Sequence, residues 1–128
     1  MDRSLEGKRI LIVDDDADIL TAMETTLSET GAAISTATDG NAALEACREM
    51  DPDLVVLDMG LPKRSGHLVL NGIKSVPKAG TRPYVVVVTG DVGKRSETYA
   101  RSRGVDGYIN KPFRMERLVK AVEGLLAD

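Results

Sequence analysis

Five side chains able to do chemistry stand at, or just past, the ends of short apolar segments: the carboxylates of Asp14, Asp15 and Asp58, the hydroxyl of Thr89 and the ammonium of Lys111. An apolar run bounded by turn signals, such as Leu54-Val55-Val56-Leu57 before Asp58, marks a strand buried on both faces, so its last residue is delivered to one rim of a sheet. Carboxylates gathered there repel one another. The simplest relief is a hard divalent cation that takes oxygen ligands and keeps several waters, which means Mg²⁺, with Mn²⁺ as a substitute. A metal, a lysine and a hydroxyl around one carboxylate make a phosphoryl site. The cation and Lys111 would neutralise the phosphoryl oxygens, Thr89 would donate a hydrogen bond, and Gly90 would keep the backbone clear. Each part has a plainer reading alone, since acids after a strand often cap the next helix and Lys-Pro is a common turn. Their joint order carries the argument.

That order rests on elements which alternate along the chain. Strand-like segments are expected at Lys8–Val13, Ala32–Ala37, Asp53–Asp58, Arg82–Thr89 and Val105–Ile109. Helix-like segments follow each of them, at Asp15–Thr30, from Asp39-Gly40 to Met50, at Ser65–Ser75, at Gly93–Arg103 and from Pro112 onward. Five such alternations predict a parallel sheet with helices on both faces. Gly31 is placed to end the first helix in the left-handed conformation. Ala43, Cys47 and Met50 share one face of the second helix, and Leu68, Val69 and Ile73 supply the third. Tyr99 and Ala100 are nearly all that the fourth can bury, so it should be the least firmly packed. The last helix has the strongest stripe, through Met115, Leu118, Val119, Val122, Leu125 and Leu126. In an open sheet of this kind ligands gather at the carboxyl ends of the strands, where the five reactive groups stand.

Composition excludes several other classes. At 128 residues one domain is expected, with no room for a separate output module. Met1 to Lys8 lacks an apolar signal core and no segment is long enough to cross a bilayer, so a cytoplasmic protein without membrane contact is expected. Cys47, the sole cysteine, can form no internal disulfide and reads as core packing. His67, the sole histidine, reads as a surface helix residue with no partner for a zinc site. The net charge of −3 argues against nucleic acid as a direct partner. Residues 91 to 120 nonetheless hold eight Lys or Arg against four Asp or Glu, a bias that could suit an acidic partner or a homodimer contact. Other phosphate chemistries lack their motifs: there is no G-x-x-x-x-G-K-[ST] loop and no G-x-G-x-x-G after the first strand.

The segments Ile10-Leu11-Ile12-Val13-Asp14-Asp15-Asp16, Asp58-Met59-Gly60-Leu61-Pro62 with Gly66, Val88-Thr89-Gly90, and Gly107-Tyr108-Ile109-Asn110-Lys111-Pro112-Phe113 together resemble the receiver domain of two-component response regulators. The similarity runs from about residue 7 to 127, in the right order. It implies a flavodoxin-like, doubly wound five-stranded parallel sheet of order 2-1-3-4-5 with five helices. It implies Asp58 as phosphoacceptor, Asp15 as a direct Mg²⁺ ligand, Asp14 as one acting largely through water, and the Gly60 carbonyl as another. Lys111 would contact the phosphoryl group through a loop whose bond to Pro112 is typically cis. Thr89 and Tyr108 resemble the pair that couples phosphorylation to the face made by helix four, strand five and helix five, although Tyr108 has plain strand packing as its alternative. The implied partners are a sensor histidine kinase or histidine phosphotransfer protein, which donates the phosphoryl group, and a downstream protein target. The domain would be no enzyme beyond its own phosphorylation and dephosphorylation.

Two positions depart from that pattern. Ser65 replaces the acidic or polar residue usual before Gly66. Gly60, two after the phosphoacceptor, offers no side chain to shield a phosphoryl group from water, so its lifetime should depend partly on Asp91, two after Thr89. The competing readings are a receiver-like interaction module that works without phosphorylation, and a receiver belonging to a hybrid kinase or larger regulator.

Overall fold

Runs of Ile, Leu and Val at 10–13, 54–57 and 85–88 form strands because branched side chains pack well on a pleated surface covered on both sides. In the computed structural model, which describes residues 4–61, 66–75, 83–90 and 93–127, the strands are β1 Arg9–Val13, β2 Ala33–Ala37, β3 Leu54–Asp58, β4 Tyr84–Thr89 and β5 Gly107–Asn110. They pair in parallel in the order β2-β1-β3-β4-β5, the expected one. Helices α1 Ala17–Ser28, α2 Gly40–Met50, α3 Gly66–Ser75, α4 Lys94–Ser102 and α5 Met115–Leu126 complete a flavodoxin-like architecture. None of the described helices is long and apolar enough to cross a membrane.

Alternation along the strands divides the core in two. Ile10, Ile12, Leu54, Val56, Val86, Val88 and Ile109 face α1 and α5, meeting Met23, Leu27, Leu118 and Val122. Leu11, Val13, Val55, Leu57, Val85, Val87 and Tyr108 face the other way, onto Ala43, Val69, Leu70, Ile73 and Ala100. All four valines of β4 are fully buried, each contributing roughly 1.5–3 kcal/mol relative to exposure.

Capping sets where the helices begin and end. The Asp16 carboxylate accepts from the N–H groups of Asp18 and Ile19 and starts α1, and Asp39 accepts from Ala42 N and starts α2, each satisfying amides a helix start leaves unpaired. Gly31 adopts φ +94°, as expected, although α1 ends at Ser28, two residues short of the expected Thr30. Val105 and Asp106 do not belong to β5. The Asp106 carboxylate accepts from Val85 N at 2.9 Å, a side-chain bracket at the ladder's amino end, and the strand starts one residue later. Asp53 brackets β1 and β3 in the same way, accepting from Arg9 N at 2.8 Å.

One sequence expectation needs correction. Leu68 is not a core residue of α3: it is 54% exposed, and Leu70 is fully buried in its place beside Val69 and Ile73. Periodicity alone left the phase of this short helix open by two positions, and packing against β3 chose it. The amino-terminal segment, which lacks an apolar signal core, carries Leu5 into the core with no exposure at all. Its backbone N–H donates to Thr30 O at 3.0 Å, and Ser4 Oγ donates to Glu123 on α5. Cys47 is half-buried and packs against the core as expected. The side chain of His67 lies outside the described residues.

Candidate functional site

The carboxyl ends of β1, β3 and β4 bring Asp14, Asp58 and Thr89 to one rim of the sheet, and the loop after β5 brings Lys111 across to them. Asp14 is fully buried, and Asp58 and Thr89 are nearly so. Lys111 is held at both ends. Its backbone N–H donates to Thr89 O at 2.8 Å, and its Nζ donates to Asp14 Oδ2 at 2.8 Å while lying 3.7 Å from Asp58 Oδ2. The Lys111–Pro112 peptide is cis, in line with the resemblance.

Backbone amides fix the acids. Asp16 N donates to Asp14 Oδ1 at 2.9 Å, so both oxygens of Asp14 are engaged. Gly60 N donates to Asp58 Oδ1 at 3.1 Å, which leaves Oδ2 turned toward the ammonium. Asp15 is exposed. Oxygens from Asp14, Asp15 and Asp58 nevertheless lie within 4.8 Å of one another.

The electrostatics follow from this crowding. Burial pushes the Asp58 carboxyl above its ordinary range, opposed by the Gly60 N–H and by Lys111, and the charges of Asp14 and Asp15 push it further up. Burial alone would lower Lys111, but the Asp14 hydrogen bond and the charges of Asp58 and Asp14 outweigh it, so the ammonium is held above its ordinary value. One lysine faces an excess of carboxylates. Three hard oxygen donors, one of them solvent-exposed, fit a hard divalent cation that keeps part of its water shell.

Glycine serves the site twice. A Cβ on Gly66 would lie 2.3 Å from Met59 Cα and 2.7 Å from its carbonyl oxygen, so the start of α3 abuts the residue after Asp58, and only glycine permits it. A Cβ on Gly60 would sit 3.8 Å from Asp58 Oδ1; a side chain there would stand beside that carboxylate. Tyr108 is buried among residues of the α2–α3–α4 side. Sequence reasoning named Asp16 only in passing, yet it both positions Asp14 and caps α1. The signal was its place last in a run of three acids before a helical pattern. Asp91, Ser65 and Pro62 lie outside the described residues.

The family model described as the response regulator receiver domain matches residues 10–123. The chain belongs to the response regulator receiver domains. This receiver is 33% identical over 126 residues to the transcriptional regulatory protein PrrA of Mycobacterium leprae, covering 98% of the chain and 53% of the relative. It is 36% identical over 110 residues to the transcriptional regulatory protein KdpE of Mycobacterium tuberculosis, covering 86% of the chain and 47% of the relative. It therefore spans about half the length of these curated relatives. Among solved structures it resembles a CheY-like receiver domain protein of Methanospirillum hungatei with a TM-score of 0.82 and 29% identity, over 93% of each chain.

Proposed function

We propose that this receiver takes a phosphoryl group onto Asp58 from a phosphohistidine of a sensor kinase or phosphotransfer protein and relays the change through the face made by α4, β5 and α5. The observation that carries the reading is the placement of Lys111 Nζ, 2.8 Å from Asp14 and 3.7 Å from the Asp58 oxygen not bound by Gly60. In the reaction an Asp58 oxygen attacks phosphorus, the phosphorus–nitrogen bond breaks, and the imidazole leaves with the bonding pair. Asp58 attacks as its carboxylate, and Gly60 N holds the second oxygen in line. Lys111 pairs with the charge gathering on the phosphoryl oxygens, and Thr89 supplies a hydroxyl donor at the same rim. Asp14, Asp15 and Asp58, with the Gly60 carbonyl, would hold Mg²⁺, or Mn²⁺ in its place. The cation supplies charge neutralisation for the transferred group.

Residues 1–128 act as one phosphoaccepting domain, and its partners are proteins: the donor, a downstream target, and, in the phosphorylated state, a second copy. Thr89 and Tyr108 act as the switch pair. The chemistry is self-phosphorylation and autodephosphorylation, not turnover of a substrate. Intact-mass measurement with a small-molecule phosphodonor, with and without Mg²⁺, tests the reading. A single phosphate on wild type with Mg²⁺, absent in Asp58→Asn, is expected. No added mass on wild type, under conditions that modify a control receiver, favours a module that works without phosphate. A second reading, in which the domain is the input half of a longer regulator, draws on its coverage of only about half of the curated relatives. An immunoblot for the size of the native product tests it.

A further inference from the structure

Asn71, in the middle of α3, donates from Nδ2 to the hydroxyl of Tyr99 on α4 at 3.1 Å. Its other amide atom, Oδ1, is buried with no hydrogen-bond partner among the described residues. Exchanging the amide oxygen and nitrogen would leave the count unchanged, with one end on the phenol and the other buried and bare. A half-satisfied buried amide carries a desolvation cost that a fully apolar pair would avoid. The Asn71–Tyr99 bond is thus a specific polar contact between α3 and α4.

Both ends of this link connect to parts of the molecule that matter. At the near end, α3 begins in direct backbone contact with the loop of Asp58, since Gly66 N donates to Met59 O at 3.1 Å and Gly66 has no room for a Cβ against Met59. Val69, Leu70 and Ile73 then seat α3 on the sheet, so a displacement at Met59 is passed along a packed helix. At the far end, α4 buries little of its surface. Ala100 is its one buried residue, and its N-cap, Gly93, offers no side-chain cap. A helix with so little burial takes its position from a few specific contacts.

We propose that Asn71 and Tyr99 are positioning residues that carry the state of the Asp58 loop through α3 to α4. The route is separate from the one along β4 through Thr89. The inference rests on the reading that Asp58 is the phosphoacceptor, and it concerns how that site governs the helix that a partner would meet. Coupling of this kind needs an element whose position both ends bias, and α4, joined to α3 by this bond, is that element here.

The test uses the full chain with Mg²⁺, with and without acetyl phosphate, in wild type, Tyr99→Phe and Asn71→Leu. Intact mass reads phosphorylation. Hydrogen exchange over residues 94–102 reads α4, with α5 as the internal reference. Both variants are expected to become phosphorylated, to exchange about fivefold faster in α4 without phosphate and unchanged in α5, and to lose most of the phosphorylation-dependent change in α4 seen in wild type. Asn71→Leu removes the bare carbonyl as well as the link, so loss in both variants separates the link from any damage done by one substitution. Phosphorylation accompanied by a wild-type response of α4 in Tyr99→Phe overturns the proposal, as does equal acceleration in α4 and α5, which would mark a general loss of stability. Absence of any mass shift in wild type overturns the phosphoacceptor reading itself and takes the link with it.

Discussion

Replacing Asp58 by Asn should make the metal-free protein more stable. Oxygens of Asp14, Asp15 and Asp58 lie within 4.8 Å of each other, and at an effective dielectric constant of about 20 two unit charges at that separation repel by roughly 3.5 kcal/mol. Against two such repulsions Asp58 has one attraction, to Lys111 at 3.7 Å, worth roughly 4.5 kcal/mol on the same basis. Asp15 is exposed and its share is screened. What remains, with the burial of the charge, leaves ionised Asp58 destabilising by about 2 kcal/mol. The asparagine amide oxygen can keep the hydrogen bond from Gly60, so little is lost in exchange. Urea or thermal unfolding in EDTA near pH 7 should place Asp58→Asn above wild type by roughly 8 °C, taking about 4 °C per kcal/mol for a domain of this size. The sign with pH follows from the raised pKa. Such a group's contribution to stability is fully present below its unfolded value, near 3.8, and is lost as pH rises through the higher folded value. The gap between variant and wild type should therefore open as pH rises above about 3.8 and through the higher folded value, and close in acid. Mg²⁺ should reverse the order, because saturation at a hundredfold excess over Kd adds about 2.7 kcal/mol to wild type and much less to the variant. An Asp58→Asn protein no more stable than wild type in EDTA at pH 7 would refute the reasoning.

Other outcomes follow from the same geometry. Gly66→Ala drives a methyl into the Met59 backbone and should cost about 1–3 kcal/mol by overpacking; unchanged denaturant midpoints would show that α3 does not abut the Asp58 loop. Leu5→Ala empties a fully buried site and should lower stability by about 2–5 kcal/mol, whereas Leu68→Ala, on an exposed residue, should change it by less than about 0.5 kcal/mol. Gly60→Asn has room beside Asp58 Oδ1 and should slow decay of the phosphorylated form, while Asp91→Ala should alter it too. Identical decay of both variants and wild type, followed by intact mass, would sink the idea that these positions govern the phosphoryl lifetime.

The element order, the parallel sheet and the five reactive residues were legible because each rests on local pattern: apolar runs of strand length, helical spacing in α1 and α5, and polar residues where those runs stop. The family followed from the same residues. Local pattern could not phase α3, where Leu68 and Leu70 are both apolar and only contact with the sheet distinguishes them. Nor could it find Leu5, whose burial depends on Thr30 and Glu123, far away in sequence. The bond between Asn71 and Tyr99 spans 28 positions, and neither residue type announces it.

The site divides the same way. Sequence alone determined which carboxylates, hydroxyl and ammonium the chain owns and which strand each ends, since those depend on residue type and short-range periodicity. Tertiary structure decided how they meet. Lys111 reaches Asp14 across 97 positions because β5 pairs with β4 and the Lys111 amide is tied to Thr89 O. Burial and the neighbouring acids raise Asp58, while the hydrogen bond from Lys111 to Asp14 and the acids around it raise Lys111 against its burial. Distances and burial arise only when separate strands are laid side by side, and they turn a set of reactive side chains into a charged site.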